Sequence, residues 1–348
     1  MKTYIEKSIA NFNGKSIDRY TLTNKLGTEV SILNLGGIIS SFKVPTQDGK
    51  ITDIVLGFED VNMYNCEEYL SNYPYFGAIC GRVANRIKNG RFTLDGVEYI
   101  LERNNNGSHL HGGAEGFDKK IWQVEVFENE DNTTLELSYT SVDGEEFYPG
   151  NLQVTVKYSL FEDNKFTIDY EATTDKTTPV NLTNHTYFNL TGKKDISTMR
   201  IKVNSSEYTP LNELLVPTGE IESTNKKHNH LDDETTFEAG FKSLPQGYDY
   251  NYILHTKDFL NDVGYIKDTE KDIMVKIHTT QPAVQVYSGY YIPEVGGKFG
   301  KFSGVALETQ HFPDAVNNPH FPSVILNPGE KYRQTTIWNV YSPIPQEE

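Results

Sequence analysis

The chain has 348 residues, 37% of them hydrophobic, and a formal net charge of −16 from 48 acidic and 32 basic side chains. That is enough apolar material for a substantial core. A field of that sign repels phosphate backbones and anionic lipid, which sets nucleic acids and membrane surfaces aside as partners and suits a neutral ligand.

The N-terminal "MKTYIEKSIANFNGK" lacks the apolar stretch of about 7 to 15 residues that a secretory signal carries. No apolar run approaches the roughly 18 to 20 residues that cross a bilayer, so a cytoplasmic protein is expected. Cys66 and Cys80 form no CxxC and read as free thiols of a reducing compartment. A short helix is expected over residues 59–71, and another turn or two over 256–262. Everything else that is regular looks like strand. "GRFTLDGVEYIL" places Asp95-Gly96 between Leu94 and Val97, the signature of a two-residue type I′ hairpin. "TTLELSYTS" and "LQVTVKYSLFEDNKFTIDYEA" alternate apolar and polar residues, and "AVQVYSGYYI" and "GVALETQ" add two more strands. There is no βαβ rhythm, no repeat and no linker. The expectation is an all-β protein, one large antiparallel β-sandwich spanning 1–348 as a single domain. Asparagine- and glycine-rich loops such as "RNNNGSHLHGG" would gather on one face.

One strand stands out. In "VNLTNHTYFNL" a period of two aligns Asn181, Thr183, His185, Tyr187 and Asn189 on one face. Such a face is too polar for a core and carries no charge for water, so it reads as the floor of a binding site. His185 could donate or accept a proton there, because an unperturbed imidazole has a pKa of about 6.5. A core histidine bonded to its neighbours is the plain alternative. Glu308, in "GVALETQHFPDA", projects from a strand opposite Val305 and Leu307, and a solvated edge position would also explain it. Arg86 beside Asn85 offers several donors. Asp249 sits among aromatics in "GYDYNY", and Gln285 opposes Val284 and Val286. His111 precedes Gly112-Gly113, where a ligand could approach the backbone. The pairs His109/His111 and His228/His230 lack a third ligand at a metal-binding spacing, so no metal is expected. GxGxxG, GxxxxGK[ST] and GxSxG are all missing, leaving no cradle for a nucleotide cofactor and no serine elbow. The residues taken alone describe a β-sandwich that binds something neutral and rich in hydroxyls.

"GRVANRI", "HLHGG" followed by "GFDKKIW", "VNLTNHTYFNL", "LLVPTGEI", "GYDYNY" and "LETQHFPDAVNNPHFPSVILNPGE" occur in that order. Together they closely resemble the aldose 1-epimerase, or galactose mutarotase, family over nearly the whole chain. The resemblance implies an isomerase that interconverts α- and β-anomers of free aldohexoses such as galactose and glucose, with no cofactor; whether it is a monomer or a homodimer stays open. It implies that His185 is the general acid and Glu308 the general base. Asn85, Arg86, His111, Tyr187, Asp249 and Gln285 would contact the sugar. An acid at neutral pH further implies that nearby carboxylates raise the pKa of His185. Three alternatives remain at this point. A hexose 6-phosphate epimerase would use Arg82 and Arg86 for the phosphate. A carbohydrate-binding module would need no acid–base pair. A glycoside hydrolase would use two carboxylates.

Overall fold

The computed structural model describes residues 2–343 except 47–48, 226 and 256–258. Among these residues the largest sheet has nine antiparallel strands. Their order is Gln123–Glu128, Asn132–Ser141, Leu152–Phe161, Lys165–Thr174, Tyr332–Tyr341, Ile273–Thr279, Asn261–Asp268, Arg200–Val203 and Thr235–Thr236. The alternation read from the sequence sets which face is buried. Leu135 and Leu137, Val154, Val156 and Tyr158, and Phe166, Ile168 and Tyr170 all point into the core. Each such side chain contributes about 1.5–3 kcal/mol when fully buried.

A six-stranded sheet packs against it. Four of its strands matter for function: β1 (Tyr187–Phe188), β2 (Asp249–Ile253), β3 (Ala283–Tyr287) and β4 (Val305–Gln310), paired in the order β1-β4-β3-β2. Tyr252, Val284, Val286, Val305 and Leu307 share one core with the nine-stranded sheet. The opposite face of the same strands carries Asp249, Gln285, Tyr287 and Glu308. The antiparallel register sets Gln285 directly across from Glu308 and Asp249 across from Tyr287. A five-stranded N-terminal sheet, Lys2–Phe12 to Ile51–Asp53, closes part of the core, with Phe42 edge-on to Phe166 at 5.5 Å between ring centroids.

The hairpin forms as expected, with Asp95 at φ 51° and Gly96 at φ 78° and Leu94 paired to Val97. The helix expected at 59–71 is a 3-10 turn, Val61–Asn65, followed by Glu67–Ser71. Of the turn expected at 256–262, residues 256–258 lie outside the described residues, and Asn261 already begins a strand. A helix that the pattern did not announce, Phe237–Ser243, is capped by Thr236, whose hydroxyl accepts from the Ala239 N–H at 3.2 Å. Among the described residues no helix is long and apolar enough to cross a membrane.

The segment 180–190 is not one strand. Thr183–Asn184 pairs with Ile79–Cys80, Tyr187–Phe188 pairs with β4, and His185 and Thr186 lie between the two. The uncharged polar face divides accordingly. Thr183 donates to the Thr309 carbonyl, Asn181 accepts from the His311 N–H, and Asn189 donates to the Ser303 carbonyl. These three staple neighbouring backbone and are core polar groups; only His185 and Tyr187 of the five face open space.

Arg82 is likewise structural. It is 2% exposed and donates to Ser141 Oγ and to the carbonyls of Ser141, Val142 and Pro149, each at 2.9 Å. Removing the guanidinium would strand three buried carbonyls, at about 1–3 kcal/mol for each unsatisfied group. Arg82→Met is therefore expected to lower the unfolding free energy by about 3 kcal/mol or more, read as a fall in the urea midpoint. An unchanged midpoint would show that water replaces the guanidinium.

Candidate active site

Over the polar face of the six-stranded sheet lies a cavity of about 430 Å³. All eight residues singled out in the sequence line it: Asn85, Arg86, His111, His185, Tyr187, Asp249, Gln285 and Glu308. They arrive from six chain segments. Glu308 and Gln285 rise side by side from β4 and β3. Asp249 enters from β2, where its Oδ1 accepts from Gln285 Nε2 at 2.6 Å. His185 comes from the break between the two short pairings, and its Nε2 stands 3.5 Å from Glu308 Oε1. The pair is deeply buried, at 4% and 2% exposure.

The remaining wall is built from 85–86 and 109–111. Leu110 pairs with Arg86 and His109 with Ile87. His111 then turns out of the strand at φ 50°, so the two imidazoles do not share a face. His109 is buried elsewhere against Tyr148 and bonds the Glu102 carbonyl at 2.7 Å. Gly112 does not open the backbone to a ligand. A Cβ there would lie 1.8 Å from the Gly81 carbonyl oxygen, so its bare Cα serves the close crossing of two chain segments. Arg86 reaches Asn105 Oδ1 through Nε and Nη2 at 3.3 and 3.2 Å. Asn105 belongs to the "RNNNG" loop. It lines the cavity together with Tyr75, Tyr287, Leu215 and others that the strand pattern did not single out. Tyr287 ends β3, and Asn105, Tyr75 and Leu215 sit outside the named strands, where alternation gives no signal.

His111, His185 and Glu308 place one potential ligand atom each within 4.8 Å of one another. The tautomer of His111 works against a cation. Its Nδ1 accepts the Asn85 backbone N–H at 3.2 Å, so the neutral ring carries its proton on Nε2, as a donor to a ligand oxygen.

Burial dominates the electrostatics. It pushes Glu308 well above the ordinary carboxylate value, with the charge of Asp249 adding to the rise and Arg86 opposing it. It also raises Asp249, against the pull of Arg86 and the Gln285 hydrogen bond. His185 is lowered to about 4 by burial, the reverse of the rise expected from its carboxylate neighbours. His111 is pushed down further, first by burial and then by His185 and Arg86. The site thus favours a neutral imidazole beside a protonated carboxyl, a pair holding one proton. It also brings together two carboxylates, Asp249 and Glu308, that the sequence did not single out as a pair.

The fold and sequence together define an isomerase of the galactose mutarotase type. The GalM/aldose epimerase homologue from C. elegans superposes with a TM-score of 0.85 at 26% identity, covering 92% of this chain and 98% of that one. The galactose mutarotase of Sus scrofa is 40% identical over 324 residues, 90% of this chain and 91% of its own. The aldose 1-epimerase of Escherichia coli (strain K12) is 34% identical over 337 residues, 93% and 95% of the two chains. Residues 18–339 match the family model for aldose 1-epimerase. The chain belongs to the aldose 1-epimerase family.

The buried pair makes its own prediction. A second proton enters as pH falls through the lowered value of His185, and the shared proton leaves only above the ordinary carboxylate range. The acid limb of kcat/KM, which reports the free enzyme, is therefore expected near pH 4. A limb near 6.5 would show an imidazole that water reaches freely.

Proposed function

We propose that the cavity equilibrates the anomers of free aldohexoses such as galactose and glucose, with Glu308 as base and His185 as acid. The observation that carries this is the 3.5 Å separation of Glu308 Oε1 and His185 Nε2 at the buried floor. Mutarotation removes a proton from the anomeric hydroxyl while the ring oxygen gains one. Both oxygens are bonded to the same carbon, so the base and the acid must stand close together.

The steps balance. Glu308 takes the proton of the anomeric hydroxyl, His185 gives its proton to the ring oxygen, and the bond between C1 and the ring oxygen breaks to leave an aldehyde. Rotation about C1–C2 presents the other face. On closure the ring hydroxyl returns its proton to His185 and Glu308 returns its own to the new anomeric oxygen. The pair holds one proton throughout. Sugar hydroxyls and the charge of Arg86 would favour its charge-separated form, a carboxylate beside an imidazolium, over the neutral form that burial favours. Asn85, Arg86, His111, Tyr187, Asp249 and Gln285 would hold the remaining hydroxyls so that C1 faces Glu308. The reaction is redox-neutral and calls for no cofactor.

Arg86 is the only cationic side chain among the described lining residues, and Arg82 is committed to backbone carbonyls. A neutral sugar is therefore favoured over a hexose phosphate. One core cluster runs from Tyr20 to Val340, which supports a single domain over 1–348. Cys66 and Cys80 are free, in keeping with the cytoplasm.

Polarimetry tests the reading. Catalytic amounts of protein should speed the decay of optical rotation of fresh α-D-galactose and α-D-glucose to the same end point, and faster than with glucose 6-phosphate. His185→Asn and Glu308→Gln should each lower kcat by about 10² to 10⁴, the usual contribution of one general acid or base. Near-normal turnover in either variant would remove that residue from the mechanism.

A further inference from the structure

Among the described residues no other residue holds the His185 ring by a hydrogen bond. Its Nδ1 is buried with no partner in another residue, and Nε2 faces Glu308 across 3.5 Å. A histidine that moves protons is ordinarily fixed in orientation through its second nitrogen. The torsion that turns an imidazole about its stem is otherwise broad and weakly preferred. Beyond a hydrogen bond to its own backbone, rings do the holding. Tyr75 stacks on His185 with centroids 5.8 Å apart at 25°, Tyr187 lies at 4.9 Å and 39°, and His111 meets it nearly edge-on at 5.1 Å and 76°. Tyr75 also touches the His111 ring at 4.7 Å, so one phenol ring spans both imidazoles.

The backbone is arranged for that contact. Tyr75 has φ 59°, a left-handed conformation that costs a bulky L-residue about 1–2 kcal/mol. Such strain persists only where the surroundings over-determine it. The surroundings are the backbone of His185 itself. The Ala78 N–H donates to the Tyr75 carbonyl at 3.1 Å, the Gly77 N–H to the His185 carbonyl at 3.1 Å, and the His185 N–H to the Ala78 carbonyl at 2.8 Å. The turn that carries the ring is thus bonded to the residue that the ring covers. The Tyr75 side chain is 9% exposed, and its hydroxyl makes no hydrogen bond among the described residues, so the ring is what fits the place.

Resting on the assignment of His185 as the acid, we propose that Tyr75 is a positioning residue, whose ring clamps the His185 imidazole in the orientation that delivers its proton to the sugar ring oxygen. It acts through His185 and not on the sugar.

The test separates kcat from KM in Tyr75→Ala, Tyr75→Leu and Tyr75→Phe, alongside histidine side-chain NMR. Loss of the stack should lower kcat by about 10²-fold, the scale of an ångström-level misplacement, with KM changed by less than about threefold. Tyr75→Phe, which keeps the ring, should recover at least about tenfold of that loss. Leu fills the space and is tolerated at such a backbone, since Leu215 has φ 58° in this chain. It therefore gives the same reading should the alanine variant fold poorly. The His185 ring signals should broaden or shift in the alanine and leucine variants while those of His109 stay put. A folded variant without the ring that keeps its kcat, or one that loses only KM, would overturn the proposal. Undisturbed His185 signals would do the same. Unimpaired turnover in His185→Asn would instead sink the acid assignment, and the NMR comparison would still judge whether Tyr75 holds the ring.

Discussion

The constraint behind the site is desolvation. A carboxyl and an imidazole have been taken out of water together, 3.5 Å apart, with one carboxyl oxygen and one ring nitrogen left without a partner in another described residue. Either group charged and alone would cost several kcal/mol in such a place. With one proton between them the pair is neutral overall in both of its forms, and the fold can bury it. Taking that proton away would leave an unmatched carboxylate, and adding a second would leave an unmatched imidazolium. The shifts of the two groups, upward for Glu308 and down to about 4 for His185, express this one fact.

The six-stranded sheet makes the burial possible by having two different faces. Valines 284, 286 and 305 and Leu307 anchor β3 and β4 to the main core. The residues between them are then fixed in position by the pleat, without needing hydrogen bonds of their own to choose a direction. Gln285 and Glu308 are register partners, so the spacing of the polar groups across the floor is inherited from strand pairing. The loops supply the walls, and there the backbone takes conformations that strands do not. Asn85, His111, Leu215 and Tyr75 all have positive φ.

This division also sets what could be read from the sequence. Alternation of Val284, Val286, Val305 and Leu307 was visible, so the strands and their polar insertions Gln285 and Glu308 were too. Tyr187 came from the period of two in its segment, and Asn85, Arg86, His111 and Asp249 from their local residue patterns; the motif resemblance added their expected role as sugar contacts. The same rule misled at 180–190, where two short pairings with a break between them look like one strand once every second residue is polar. Asn181, Thr183 and Asn189 satisfy buried backbone, which is a tertiary demand that no local pattern reports. Arg82 could be offered to a phosphate only under the alternative of a hexose 6-phosphate epimerase, since its carbonyl partners lie 59 to 67 residues away and no local pattern reports them. The protonation of His185 was expected in the wrong direction because proximity to carboxylates is legible in motifs and the extent of burial is not. Tyr75 lies in "SNYPYFG", where neither propensity nor period hints at a ring laid across two histidines.

The place of strand Tyr332–Tyr341 in the nine-stranded sheet has a consequence for how the protein is made. It sits in the middle, between Lys165–Thr174 and Ile273–Thr279, and pairs with both along most of its length. A ribosome delivers the chain from the N-terminus, so both neighbours emerge long before the strand that joins them. Until it arrives, each presents an unpaired edge rich in β-formers, the kind of surface that recruits other chains. Sheet closure is therefore a late event relative to those two strands, governed by contacts of high sequence separation that form slowly. The nascent chain has to be kept from its neighbours until Tyr332–Tyr341 has emerged to pair with both.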